Sequence, residues 1–472
     1  MRNDTESPFS LTLTQSDLQL QVLRFNGREA LNQPYRFDLE LIGLAPPIDP
    51  DLLLGHPAFL RLDGESGVHG IVHSVSLNAL APRRIGYRLT LVPYLQQLEQ
   101  GPRRRVFHRL SVVQVLQRLL EEHALPVDSY RFELPHGQYP CRPFCIQYDE
   151  SDLTLLQRLC EEEGIHYHFE HAPQGHVLVF AEDPKSFPAH PVELPLRPND
   201  SQLPAIKRLY LRHHPMMPGL PGGFSDRTLH EAGAAATATA ANHPLEQIDH
   251  EAMRSNPALA HRYQAGRRHL ERLRCRQREI HGHSTQPTVH GGDIVQICEH
   301  PISTFNDQWL ITEVQHRGRQ FSILEPDLPT TPSARDYRNR FTAIPWSTTF
   351  RPALKHPKPC ILGYHLAHVL GRTGQPASPD ERGQVSVSLW APDQDGITLP
   401  VSRLTRDGSP SLMAGSEVLV SFLDGDPDRP VLCPGAVDTG AGQTAAPTKP
   451  PRGNPDAGLL LDWLLNPPDF TP

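Results

Sequence analysis

Ser151-Asp152-Leu153-Thr154-Leu155-Leu156-Gln157-Arg158-Leu159-Cys160-Glu161-Glu162-Glu163-Gly164-Ile165-His166-Tyr167-His168-Phe169 changes its periodicity at its single glycine. Before Gly164, the apolar residues Leu153, Leu156, Leu159 and Cys160 recur on one helical stripe. Ser151 starts that helix, acidic Asp152 lies in its first turn, and Gly164 is placed as its C-terminal stop. After the glycine, residues 165–169 alternate apolar and polar, the period of a strand, and residues 172–175 turn this strand into a second one over 177–180. Helix and hairpin lean together as one α+β unit.

Working outward towards the N-terminus, the composition changes at Gly101-Pro102. Ser111 then caps a helix that carries Val112, Val115, Leu116, Leu119 and Leu120 along one face, and Pro126 follows its end. The first hundred residues read as strands at 11–13, 18–25, 35–42, 58–62, 68–77 and 87–92. Val22, Phe37, Leu39, Leu41, Leu89 and Leu91 recur in them with period two, which implies an antiparallel barrel or sandwich.

In the other direction, residues 213–256 are rich in Pro, Gly, Ala and His and read as an exposed connection, ahead of a helix over about 257–273. Strands at 274–280, 293–298 and 308–316 make a second β-rich block. A proline-bearing linker over 350–359 leads to five short strands at 361–370, 383–390, 397–404, 417–423 and 431–437, the count of an OB barrel. Gly425-Asp426-Pro427-Asp428 reads as the hairpin tip between the last two, since Gly tolerates positive φ and Pro presets φ.

The 472 residues suffice for about three domains. Their 49 prolines, about twice the usual ~5% share, favour short strands and loops over long bundles. Lys+Arg at 45 against Asp+Glu at 53 leaves a net charge of −8, which argues against a protein built to coat nucleic acid or anionic lipid. Seven cysteines, an odd number, do not make a disulfide scaffold and point to a reducing compartment. Met1-Arg2-Asn3-Asp4-Thr5-Glu6 lacks the basic and apolar regions of a signal peptide, and no stretch approaches the ~18–20 apolar residues of a membrane span.

Searches for chemistry return little. There is no G-x-S-x-G elbow, P-loop, G-x-G-x-x-G opening a helix or C-x-x-C pair, so neither catalytic residues nor a cofactor are expected. His250-Glu251 begins like a zinc-protease helix, but Arg254 stands where the second ligand belongs. Cys141 and Cys145 flank Pro143 at a spacing that does not by itself make a zinc site. His166, His168 and Glu170 share one face of a strand and are the candidate metal ligands, weighed against a solvated strand face. Arginines cluster at Arg103-Arg104-Arg105 and at Arg267, Arg268, Arg272, Arg274, Arg276 and Arg278. From 272 they alternate as they would on a strand, and their expected role is to pair acidic surface on a partner or neighbouring subunit. The OB block offers Tyr364, Trp390 and Phe422 without a basic run, so single-strand nucleic-acid binding is not expected.

The segment from Tyr148-Asp149-Glu150-Ser151-Asp152 through Glu161-Glu162-Glu163-Gly164 to Tyr167 resembles the VgrG family, the spike proteins of type VI secretion. Tyr35-Arg36-Phe37 and Leu310-Ile311-Thr312-Glu313-Val314 followed by His316 resemble that family's hub. Tyr337-Arg338-Asn339-Arg340-Phe341-Thr342-Ala343-Ile344-Pro345, then Phe350-Arg351-Pro352 and Pro357-Lys358-Pro359, are similar to its junction between hub and OB domain. Gly415 to Phe422, continuing through Leu423, Asp424, Gly425, Asp426, Pro427, Asp428, Arg429 and Pro430, is similar to its OB signature.

The resemblance implies a mainly β chain with α+β insertions, in which two related hub β-barrels with helical elements precede an OB-fold barrel. It implies homotrimers whose barrels meet the hexameric Hcp tube. Baseplate components, and an effector, a chaperone or a PAAR-type tip protein carried on the OB domain or the tail, are the other implied partners. Assembly would be cytoplasmic, with export by the type VI apparatus and no stable membrane insertion. A non-exported adaptor paralogue is the alternative, and a metal-dependent hydrolase the distant one. The boundaries drawn are 1–100 for the first barrel, 101–200 for the α+β unit, and 201–349 for the connection, helix and second barrel. Residues 350–380 make the linker and first OB strand, 381–437 the OB fold and 438–472 the tail. Asp438 to Asp456 has few large apolar residues, so a short form without the family's triple-stranded β-helix is expected. Leu460, Leu461, Trp463, Leu464 and Leu465 are the partner-docking candidates.

Overall fold

Alternating apolar side chains bury one face of each N-terminal strand, and the sheet closes to remove its edges. The computed structural model describes residues 9–433 apart from 17, 82, 199–202, 216–256, 321–334, 382, 391–396 and 401–411. The first six strands are β1 (Ser10–Leu13), β2 (Gln19–Ala30), β3 (Gln33–Leu44), β4 (Pro57–Asp63), β5 (Ser66–Ala81) and β6 (Arg84–Val92). They run β1-β4-β5-β6-β3-β2, and β1 pairs with both β4 and β2, so the ring is closed. The period-two residues Val22, Phe37, Leu39, Leu41, Leu89 and Leu91 all fill its interior with Phe9, Leu11 and Leu60.

The next block is β7 (Arg103–Leu110), α1 (Val112–Glu122), β8 (Tyr130–Glu133), β9 (Arg142–Glu150), α2 (Asp152–Glu163), β10 (His166–Ala172) and β11 (Gly175–Ala181). Ser111 caps α1 reciprocally with Gln114, as its Oγ accepts from Gln114 N at 3.3 Å and its N donates to Gln114 Oε1 at 2.8 Å. Ser151 Oγ accepts from Thr154 N at 3.1 Å. β10 and β11 form the expected hairpin, β8 adds to β11 in parallel, and both helices press their apolar stripes onto this sheet. The ribbon of β7 and β9 has no counterpart in the periodicity, because the consecutive arginines Arg103, Arg104 and Arg105 fall on both of its faces and erase the apolar alternation.

The second barrel comprises β12 (Val192–Pro195), β13 (Ile206–His213), β14 (Arg278–Ser284), β15 (Ile294–Cys298), β16 (Gln308–Gln320) and β17 (Arg335–Pro345), with α3 (Pro257–Cys275) ahead of β14. β15, β16, β17, β14 and β13 pair in that order, β12 pairs with β15, and a parallel bridge from Leu196 to Ile206 closes the ring. Its core holds Ile280, Val295, Ile297, Ile311, Val314, Phe341 and Trp309, whose Nε1–H donates to Phe305 O at 3.0 Å. Gly282 lies opposite Phe341, where a Cβ would come within 2.1 Å of the ring. β16 also pairs with β2 from Glu313–Ala30 to Arg319–Arg24, so the two barrels share a seam and form one 12-stranded sheet.

Two expectations are corrected. The strand read from Arg274 begins at Arg278, because α3 runs on to Cys275; of the alternating arginines, Arg272 and Arg274 lie in the last turn of α3, Arg276 in the turn after it and Arg278 at the start of β14. Residues 337–345, read as a junction, form β17 in the middle of the second barrel.

The final sheet is β18 (Tyr364–Val369), β19 (Gln384–Leu389), β20 (Ile397–Pro400), β21 (Glu417–Phe422) and β22 (Pro430–Cys433), ordered β20-β19-β18-β21-β22. Val387, Leu389, Val420 and Phe422 make its core, which continues into Ile146, Val106, Phe144 and Tyr148 of the β7–β9 ribbon. The architecture bears out a mainly β chain of two barrels with α+β elements followed by a five-stranded barrel. Leu460, Leu461, Trp463, Leu464 and Leu465 lie outside the described residues, as do residues 401–404 of the expected third OB strand. Trp309→Ala empties the middle of the second barrel and is expected to cost about 3–5 kcal/mol, checked by urea unfolding of the whole chain followed by circular dichroism.

Candidate functional site

The C-terminus of α2 presents carbonyls with no helical partner and a run of three carboxylates, an electrostatic demand that cations from elsewhere in the chain meet. Gly164 makes the turn possible: its φ is 70°, and a Cβ there would stand 3.1 Å from Arg268 Cδ and 3.3 Å from Arg351 Cδ. Arg272 Nη2 donates to Glu161 O at 2.6 Å, Arg268 Nη1 to Glu163 O, and Arg351 Nη1 to Gly164 O at 3.2 Å.

The carboxylates reach outward from the same turn. Glu161 Oε2 accepts from the backbone N of Lys355 at 2.7 Å and of His356 at 2.8 Å, and its Oε1 lies 2.8 Å from His356 Nδ1. Glu162 accepts from Arg158 at 2.9 Å and Arg142 at 2.8 Å; Glu163 accepts from Arg142 at 2.7 Å and lies 2.9 Å from His261 Nε2. Burial pushes the Glu162 carboxyl up, but Arg142, Arg158 and Lys358 outweigh it and hold the group at about 2. Arg158, itself buried, also grips Glu150 at 2.6 Å, which ties the two ends of the 148–164 motif together.

From this turn the network runs into the linker and the OB barrel. Arg272 Nε donates to Pro352 O at 2.7 Å, and Arg351 Nε donates to Glu271 at 2.7 Å. Lys358 Nζ sits 2.7 Å from Asp426 and 2.8 Å from Asp428 in the hairpin tip. Burial lowers the Lys358 ammonium, yet Asp428 and Glu162 reverse this and push its pKa up. Ile361 N donates to Gly425 O at 2.8 Å, Asp428 N to Asp426 Oδ1 at 3.0 Å, and Arg429 pairs with Asp424 at 3.1 Å. Pro430 opens β22 opposite Phe422, and Pro427 stands between the two aspartates that hold Lys358. The arrangement locks helix, linker and barrel into one body.

A match to the phage tail baseplate hub (GPD) family covers residues 28–321. The chain belongs to that family. Among hub relatives, the Pseudomonas aeruginosa type VI secretion system spike proteins VgrG4b and VgrG5 are 39% and 38% identical over 90% of this chain. This bears out the VgrG resemblance. The chain spans 56% and 57% of their lengths. A solved structure of an E. coli type VI secretion component, c3393, described as similar to the T4 tail proteins gp27 and gp5, superimposes with a TM-score of 0.67. It covers 89% of this hub chain and 98% of its own at 24% identity, a likeness of fold.

The hub chain spends several of its clustered arginines internally, while Arg274 and Arg276 are exposed. Arg268 and Arg272, expected to pair acidic surface on a partner or subunit, are buried against its own carbonyls. Arg103 and Arg105 pair with Asp152 at 3.2 and 2.8 Å, and Arg104 with Asp149 at 2.7 Å. The signature residues of β17 also serve the fold: Asn339 Nδ2 donates to Gln286 O at 2.8 Å, Phe341 fills the second barrel and Arg340 is exposed.

His166, His168 and Glu170 are not assembled as ligands. His166 Nε2 lies 3.0 Å from Ser186 Oγ, Arg131 takes Glu170 with bonds of 2.6 and 2.8 Å, and His168 packs on the Phe187 ring at 5.0 Å. The strand face expected to be solvated leaves these two histidines only 1% and 3% exposed. The cluster the sequence did not reveal joins Glu29, His290 and His316, brought together by the β2–β16 register and the turn ahead of β15.

Two predictions follow from this packing. Glu161→Ala leaves three donors of the linker unpaired around a buried charge network, an expected loss of about 3–5 kcal/mol, read as a lower urea midpoint with faster protease cleavage around residues 353–357. Burial holds His69 and His168 at about 4 and His166 well below its ordinary value. The unfolded chain therefore binds more protons below pH 6.5, and stability present above that pH falls as pH drops towards 4, by up to about 1.4 kcal/mol per pH unit per group. Urea midpoints measured from pH 7.5 to 4.5 are expected to fall, with a shallower fall in His168→Leu.

Proposed function

We propose that this chain is the hub and OB part of a type VI secretion spike and works mechanically, without turning over a substrate. The observation that carries the reading is the pairing of two closed six-stranded barrels across one seam in a protomer. Three such protomers about an axis offer six barrels to a sixfold tube. In this reading the chain trimerises, sits on the hexameric Hcp tube, contacts baseplate components, and carries effectors, adaptors or a PAAR-type tip through its OB end or tail. It is assembled in the cytoplasm and leaves with the apparatus when the sheath contracts.

The joint at Glu161–Gly164 supports this reading in physical terms. A spike driven through a membrane transmits axial load from tube to tip, and load passes only through contacts that do not slip. Buried arginines fixed by two or three oriented acceptors resist rotation better than an apolar contact of the same area, because each displaced bond leaves a desolvated charge. The continuous core between the β7–β9 ribbon and the OB sheet adds the non-directional part.

The test is a measurement of solution mass and tube binding on the same 472-residue chain. A mass three times the 52.8 kDa protomer, capture by purified Hcp rings, and appearance in the medium only when the apparatus fires are the expected outcomes. A trimer retained inside firing cells points to the adaptor alternative. A monomer that ignores the rings overturns the reading.

A further inference from the structure

The seam between the two barrels holds a group of side chains that neither strand pairing nor the proposed mechanical role requires. Glu29 is on β2 in the first barrel, His316 is on β16 in the second, and His290 is in the turn before β15. Their ligating atoms lie within 4.8 Å of one another. Glu29 Oε1 is 3.0 Å from His290 Nδ1 and 3.1 Å from His316 Nε2. Glu29 is 5% exposed and His316 2%.

The outer atoms of the group are already held. His316 Nδ1 lies 2.7 Å from Tyr337 Oη, which leaves Nε2 as the inward nitrogen. Gly291 N donates to Glu29 Oε2 at 3.2 Å, which leaves Oε1 as the inward oxygen. His290 Nε2 is 3.4 Å from Ser66 Oγ, so its Nδ1 faces the group. Inward His316 Nε2 is buried and makes no aligned hydrogen bond, a loss that a buried polar atom seldom bears without a partner. Beside the group stands His171, its ring centre 6.0 Å from that of His290 and its nitrogens buried.

We propose that Glu29, His290 and His316 bind one zinc ion that clasps the two barrels across their seam. Zinc held by two imidazoles and a carboxylate takes bonds of about 2.0–2.2 Å, which places tetrahedral ligand atoms roughly 3.3 Å apart. The two distances at Oε1 are shorter by only a few tenths of an ångström, a shift within the reach of side-chain torsions. Two imidazoles select a borderline transition metal over calcium or magnesium. The Tyr337 and Gly291 contacts orient the ligands as outer partners do in metal sites generally. The fourth position falls to water or to His171. Because the three ligands come from two barrels and a turn, the ion stabilises the seam rather than either barrel alone. The inference stands independently of the proposed secretion role.

The experiment strips the full chain with a chelator, confirms its fold by circular dichroism, and titrates zinc alone at pH 7.5 while following bound metal and melting temperature. One zinc per chain and a melting temperature that rises with zinc are expected. Tyr337→Phe, which keeps the ligands, is expected to weaken zinc binding about 10- to 100-fold. Cobalt in place of zinc is expected to give the visible absorption of a four-coordinate site, lost in His316→Asn and displaced by zinc. A folded, stripped chain that takes up no zinc overturns the proposal and leaves the group as a buried ion pair. A cobalt band that survives in folded His316→Asn overturns it by locating the metal elsewhere.

Discussion

Everything between the hub barrels and the OB barrel hangs on the left-handed turn at Gly164, where helix carbonyls and three carboxylates meet arginines from distant parts of the chain. The constraint is steric before it is electrostatic. A side chain at 164 would stand against the stems of Arg268 and Arg351, and those two guanidiniums cap the carbonyls on either side of the turn. With the stems in place, burial carries the guanidiniums out of water. Each must then find oriented oxygen, which Glu182 supplies to Arg268 and Glu271 to Arg351, while Glu161 O and Pro352 O do the same for the neighbouring Arg272. Stability and rigidity therefore come from different sources: the apolar cores supply most of the driving force, and the charged joint fixes the angle at which they meet.

The seam from β2 to β16 repeats this division of labour. Backbone pairing makes the two barrels one sheet, and barrel closure leaves few free edges for wrong partners. Seated at the seam are Glu29, His290 and His316, polar groups whose burial is costly unless they are satisfied together. The same economy governs His166 and His168 of β10, which are held neutral by burial against Phe187 and so couple hub stability to proton activity.

Much of the fold was legible because each element carries its own signal. Period-two runs gave the first barrel, Ser111 and Ser151 marked two helix starts, and Gly164 marked a stop. The joint was half legible. Glu161-Glu162-Glu163-Gly164 and the aspartates of the hairpin tip stood out, but nothing local said that Lys358 would bridge to Asp426 and Asp428 or that Arg268 and Arg272 would turn inward. The alternating arginines from 272 misled for a plain reason: the run straddles the end of α3, with Arg272 and Arg274 in the helix and Arg278 in β14, and only the length of α3 shows this. β7 and β9 escaped notice because a ribbon packed on another barrel on one side and lined with paired charge on the other shows neither clean alternation nor an apolar run.

By itself, the sequence determined the strand and helix inventory, the turn glycines and the family, since these rest on neighbours within a few residues and on motif order along the chain. Tertiary structure alone decided which charges are buried, how two barrels share a seam, and that Glu29 meets His290 and His316 from positions more than 250 residues apart. Long-range register sets those contacts. A carboxylate or imidazole looks the same in the chain whether it ends in water or in a core.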